Sequence, residues 1–350
     1  MRKHIVTFFL ISLLSASIAQ TGGDKVYRFL DLPVSARVSA MGGKLFSVRE
    51  DKPALAIMNP SMLNPSMSMG TSLNLVDYFA DALYGHLNYI HDFEKVGTFN
   101  FAFNFASYGA FQGYDMYGNQ TGTFSAGDFA LITGYGKEFV DSMFSMGMNV
   151  KWIFSKYENY FSAGLAVDFA ASYYSQPKNL SLTLLLSNLG TQFNTYADTR
   201  EKIPFEIQLA LSQRLAHLPV RYNITLHHLQ RWDLSSYIDP TDPYVNIDAI
   251  TGEPVGRPKA RQFANNLFRH FVFGLEILPI KYFSIQLSYN YNVRQEMRSH
   301  EKPGVVGFAY GAGLHIHNFD LYYARSHNNL ASIPNHFTLS TNIGKFLKQK

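Results

Sequence analysis

Phe99, Phe101, Phe103 and Phe105 occupy alternate positions, separated by Asn100, Ala102 and Asn104. Successive side chains of a β-strand point to opposite faces, so this segment carries rings on one face and small or polar groups on the other. The pattern returns where Phe144, Met146, Met148, Val150 and Trp152 alternate with Ser145, Gly147, Asn149 and Lys151. It returns again where Phe161, Ala163, Leu165, Val167 and Phe169 alternate with Ser162, Gly164, Ala166 and Asp168. Such segments, about ten residues long, have the length that a tilted strand needs to cross a bilayer. Strands with rings toward lipid must close into a barrel, because an open edge in hydrocarbon leaves backbone groups unpaired. Alternation predicts fourteen strands, near 67–76, 82–91, 97–106, 125–138, 142–155, 160–174, 180–189, 205–215, 220–230, 270–278, 283–292, 307–316, 319–326 and 335–343. The even total suits a bacterial barrel.

The connections test this independently. Even-numbered strands run into short turns, such as Val140-Asp141 and His317-Asn318, whereas several odd-numbered strands run into long loops at 107–124, 190–204, 231–269 and 293–306. Short periplasmic turns opposite long outer loops are the signature of an outer-membrane barrel. Rings near the strand ends, including Tyr173, Tyr174, Tyr322 and Tyr323, suit interfacial girdles. A soluble β-sandwich also alternates, but needs neither the ringed face nor the one-sided loops. Composition agrees: 16% of the 350 residues are charged and 15% aromatic, with a mean hydropathy of −0.09. Soluble domains carry roughly 25% charged residues.

The N-terminus gives the compartment. Arg2 and Lys3 precede the apolar run Ile5 to Leu14 and the small-residue stretch ending at Ala19, the form of a secretory signal peptide over 1–19. Its loss lowers the formal charge from +4 to +2, leaving no concentrated basic footprint for nucleic acid. Residues 20–66 differ in texture from the 67–350 barrel. Val34 to Ala40 has helical character and stops at Gly42-Gly43, and short pieces follow around Asp51 to Ala56 and Asn59-Pro60. These pieces are too brief and polar for strands. Preceding the first strand on the periplasmic side, they are expected to fold into the lumen as a plug rather than trail outside.

The segment "LPVSARVSAMGG", followed by an acidic residue and "ALAIMNPSML", resembles the N-terminal signature of FadL-like outer-membrane barrels of Bacteroidetes grouped as PorV/PorQ. "VYRFLDLPVSAR" over Val26 to Arg37 is similar to the PorQ branch in particular, and "LLLSNLGTQF" over Leu184 to Phe193 also resembles the family. The resemblance implies a fourteen-stranded FadL-like barrel with a plug, lying in the bacterial outer membrane among lipid and lipopolysaccharide. It further implies a non-enzymatic subunit of type IX secretion, holding attachment-complex proteins such as PorZ or PorU at the cell surface. The same plug motif leaves a second expectation open, a FadL-type transporter of hydrophobic small molecules.

Candidate residues follow from these readings. In the plug they are Arg37, Gly42, Gly43, Asp51, Asn59 and Pro60, with Arg37 and Asp51 expected to satisfy lumen hydrogen bonds and hold the plug rather than act as a gate. In the longest loop they are Trp232, Tyr237, Tyr244, Arg257, Lys259 and Arg261, an aromatic and basic set of the kind that anchors protein interfaces. A loop merely folded over the barrel mouth fits that set equally well. His315 and His317 share a strand face but have no further ligand nearby, and the adjacent His227 and His228 are expected to point opposite ways. Ser175 to Lys178 and Ser299 to Lys302 match an SxxK spacing, but Pro177 and Pro303 disfavour the helix that its chemistry needs. No catalytic residue, metal or cofactor is expected.

Overall fold

The computed structural model describes residues 25–78, 82–139, 142–234, 246–247, 254–255, 259–297, 304–328 and 333–347. The expected signal peptide lies outside them. Fourteen antiparallel strands form a closed barrel. They are β1 (Gly70–Asp77), β2 (Leu83–Phe93), β3 (Gly97–Tyr114), β4 (Gln120–Phe139), β5 (Phe144–Tyr157), β6 (Tyr160–Ser175) and β7 (Leu180–Asn194). The second half comprises β8 (Glu206–Arg214), β9 (Val220–Leu226), β10 (Phe271–Ile280), β11 (Phe283–Asn290), β12 (Phe308–Ile316), β13 (Phe319–Ser326) and β14 (Asn335–Asn342). Each strand pairs with its sequence neighbours, and β1 closes on β14 from Gly70↔Asn342 to Asp77↔Asn335. All fourteen expected strands are present.

The alternation holds around the wall. Leu87, Phe101, Leu131, Trp152, Leu184 and Leu275 point outward and are exposed, while Asn88, Asn100, Asn149, Asp168, Thr183 and Glu276 point inward and are buried. An apolar belt of this extent is the lipid face of a transmembrane barrel. No helix among the described residues is long and apolar enough to cross a membrane.

Loop lengths depart from expectation at 107–124 and at 190–204, whose first five residues continue β7 to Asn194. The span 107–124 is mostly strand: β3 and β4 have 18 and 20 residues and meet at a five-residue turn over 115–119. At about 3.3 Å per residue, the eight residues beyond a ten-residue crossing extend this hairpin roughly 25 Å past the belt. The β5–β6 connection, on the same side, is only Glu158-Asn159. The two longest loops are partly helical, with Lys259–Arg269 before β10 and Tyr291–Met297 after β11.

Residues 25–69 run through the lumen. They begin at the long-loop end, where Val26 N donates to Lys202 O at 2.9 Å and Lys25 bridges Lys202. They reach the short-turn end where β1 starts. The segment therefore crosses the barrel lengthwise, whereas position before the first strand alone places its start on the short-turn side. Val26, Tyr27, Phe29, Val38, Met41 and Leu45 are buried in one apolar cluster that also takes in wall residues Ala102, Ala106, Ala130 and Ile132. Each large apolar side chain buried in this way contributes about 1.5–3 kcal/mol.

Candidate functional site

Local chemistry shapes the plug before the barrel contacts it. Ser35 accepts from Val38 N at 3.2 Å and caps the helix Ala36–Ala40. Gly42 and Gly43 follow with φ of 78° and 80°. Gly43 N donates to Val38 O at 2.9 Å and Gly42 N to Ser39 O at 3.1 Å, the paired bonds of a Schellman stop. A Cβ on Gly42 would also lie 2.5 Å from Val272 Cγ1. Downstream, Asn59 Oδ1 accepts from Ser61 N at 3.0 Å, and its Nδ2 donates to Phe46 O at 2.6 Å. Pro60 begins the 3-10 turn Pro60–Met62, where a missing N–H is harmless. Its carbonyl oxygen approaches the wall so closely that a Cβ on Gly136 or Gly147 would lie 2.3 or 2.4 Å from it. These two glycines are register partners on β4 and β5.

Arg37 is 4% exposed and lies at the centre of a four-charge ring. Its Nε and Nη2 donate to Glu276 Oε1 and Oε2 at 2.9 and 2.7 Å, and its Nη1 donates to Glu50 Oε2 at 2.6 Å. Arg221 completes the ring, reaching Glu276 Oε2 at 2.7 Å and Glu50 Oε1 at 2.6 Å. Gln286 Nε2 adds a hydrogen bond to Glu276 Oε1 at 3.0 Å. Burial opposes ionisation of Glu50, but the Arg37 and then the Arg221 guanidinium groups outweigh it and hold its carboxyl far below the usual range. Burial likewise opposes the charge on Arg37, and Glu276 and Glu50 restore it. The ring borders a cavity of about 500 Å³ at the short-turn end, with Lys52, His315 and Tyr322 on its other sides.

Three further ion pairs join plug to wall. Lys44 Nζ lies 2.7 Å from Glu206 Oε2, Lys52 Nζ lies 2.7 Å from Asp320 Oδ1, and Arg49 pairs with Glu138. Arg37, Lys44, Arg49 and Lys52 thus each meet a barrel carboxylate, and the plug's Glu50 meets a barrel arginine. The expected acidic partner, Asp51, is instead exposed. Glu50, one residue earlier, does that work, and nothing in the sequence separates the two acids because this stretch lacks a regular period.

The loop candidates divide. Tyr237, Tyr244 and Arg257 lie outside the described residues, as does Ser299 to Lys302. Lys259 opens the helix that contains Arg261, which is exposed. Half-exposed Trp232 packs on Phe263 and His270, with ring centroids 5.2 and 5.6 Å apart. The helix is tied to its neighbour by Arg269 Nη1 donating to Asn292 Oδ1 at 3.1 Å and Tyr291 Oη to Asn265 Oδ1 at 3.1 Å. The described part of this loop is therefore a docked rim, while the β3–β4 hairpin is the projecting element. Met116 and Tyr117 at its tip are 88% and 82% exposed, and Phe111 and Phe124 stack at 5.4 Å below them. Reading 107–124 as a loop concealed this surface.

The histidines also differ from expectation. His315 Nδ1 lies 2.5 Å from Asp320 Oδ1, and His317 sits exposed in the turn with φ 52°. His227 and His228, expected to diverge, place their Nδ1 atoms 2.5 Å apart. His228 adopts a left-handed φ of 56°, which breaks the alternation on which that expectation rested. The tetrad Ser175 to Lys178 runs from the last residue of β6 into the β6–β7 turn, without a helix to align serine and lysine.

No protein-family model matches the chain, and no curated protein matches it. Solved structures of similar shape include the toluene transporter TbuX of Ralstonia pickettii, at 10% identity and a TM-score of 0.49, covering 90% of this chain and 99% of that one. The toluene transporter TodX of P. putida aligns at 11% identity and a TM-score of 0.48, covering 88% and 98%. A FadL homologue of Pseudomonas aeruginosa aligns at 10% identity and 0.43, again covering 88% and 98%.

Proposed function

We propose that this chain is a non-enzymatic barrel of the bacterial outer membrane that holds surface partners at its long-loop end. The observation that carries this reading is the plug: four of its cations are paired with barrel carboxylates along a lumen that it crosses from end to end. A lumen occupied and pinned in this way is poorly suited to passive flow, whereas a rigid barrel is a good anchor. The projecting aromatic hairpin adds a surface of the composition that interfaces favour. The N-terminal resemblance supplies the partner class, attachment-complex proteins of type IX secretion such as PorZ or PorU.

Affinity capture from detergent-solubilised envelopes tests the proposal. Full-length barrel should recover attachment-complex proteins, and barrel lacking residues 109–123 should recover far less. A deletion strain should lose surface-anchored cargo while taking up hydrophobic small molecules normally. Normal surface anchoring with impaired uptake would instead point to FadL-type transport.

A further inference from the structure

At the outer rim, two neighbouring strands bring together two imidazoles and a carboxylate whose Oε1 lies outside the Lys44 ion pair. Glu206 begins β8, and His227 and His228 follow the last residue of β9. Glu206 Oε1 lies 3.1 Å from His228 Nδ1 and 3.8 Å from His227 Nδ1, and the two Nδ1 atoms are 2.5 Å apart. In extended backbone these adjacent rings would point to opposite faces. The left-handed conformation of His228 turns them to the same side. Such a conformation persists in a non-glycine residue only where the surroundings impose it.

We infer that Glu206, His227 and His228 bind one divalent transition-metal ion of the zinc class. Two imidazole nitrogens and a carboxylate oxygen form a donor set suited to zinc, and leave a fourth position for water. Bonds of about 2.0–2.1 Å to a tetrahedral ion place donors roughly 3.3 Å apart. Small ring rotations reach that spacing from the separations present. Lys44 on Glu206 Oε2 fixes the carboxylate so that Oε1 faces the imidazoles, an outer-shell positioning role. His227 and Glu206 are buried, while the His228 side chain is 30% exposed, so the open position faces the route by which an ion enters. A bound ion would cross-link the ends of β8 and β9 beneath the Trp232 rim.

The competing arrangement is a plain hydrogen bond, with one imidazole N–H donating to its neighbour. Calorimetric titration separates the two, using untagged full-length barrel in detergent after chelator treatment. Wild type should take up one Zn2+ per chain and ignore Mg2+. His228→Ala and Glu206→Gln should each weaken binding at least tenfold while retaining the heat-modifiable gel migration of a folded barrel. Co2+ in wild type should give the visible absorption of a tetrahedral nitrogen and oxygen site, a readout independent of any variant. Absence of stoichiometric Zn2+ uptake by folded wild type, or unchanged affinity in both variants, would overturn the assignment.

Discussion

A guanidinium group enclosed by carboxylates has exchanged water for its partners, so removing it leaves those partners with only part of their compensation. Arg37→Met would strand Glu276 and Glu50 with Arg221 as their sole guanidinium partner. Breaking a buried pair from one side costs about 3–5 kcal/mol. The expected outcome is a barrel that still folds but whose plug is cut by trypsin near Lys44 and Arg49, sites protected in wild type. The pH dependence has a definite sign. A carboxyl whose folded pKa is depressed contributes stability that is present above its unfolded value and is lost as pH falls through the folded one. Glu50 lies far below its usual 4.5, so its contribution should persist undiminished from pH 7 to about 5. Limited proteolysis across that interval should show constant plug protection. Loss of protection between pH 7 and 6 would mean that other groups govern docking.

Glycines set the fit between elements. Gly136 and Gly147 form a bare patch where β4 and β5 accept the Pro60 carbonyl. Gly147→Val should therefore displace the turn Pro60–Met62 while leaving strand pairing intact. Trypsin accessibility of the plug should rise with little change in the β-sheet circular dichroism signal. The strands themselves were legible because lipid and lumen impose a period of two on every crossing, as the Phe99 to Phe105 series shows. Where that solvent contrast ends, the signal ends. The stretch from Ser107 to Phe124 mixes glycines with rings and polar groups, yet its backbone continues to pair beyond the belt. The ion-pair ring was half legible: Arg37 stood out as a charge in a small-residue segment, but its acids come from β10 and from a plug turn without periodicity. His228 was illegible, because a left-handed residue reverses the rule used to place it.

At the scale of the whole molecule, plug and wall are electrostatic complements. The plug presents Arg37, Lys44, Arg49 and Lys52 to Glu276, Glu206, Glu138 and Asp320, and offers Glu50 in return to Arg221. Within the wall, Lys151 Nζ lies 2.8 Å from Asp168 Oδ2, and the buried Asp128 is held by the hydroxyls of Tyr108, Ser155 and Tyr157. Excising residues 25–66 behind an intact N-terminus would therefore leave Glu206, Glu138 and Asp320 without their plug cations and Glu276 with Arg221 alone, a net excess of wall carboxylates. Strand closure does not depend on the plug, since β1 pairs with β14 through eight registered positions. In planar bilayers the full chain should stay closed, and the deleted chain should conduct steadily and prefer cations, because a ring of carboxylates in a narrow pore concentrates positive ions. Steady conductance by the full chain would remove the argument that a pinned plug excludes flow and would favour transport. Anion preference in the deleted chain would show that charges elsewhere, rather than the plug's partners, dominate the lumen field.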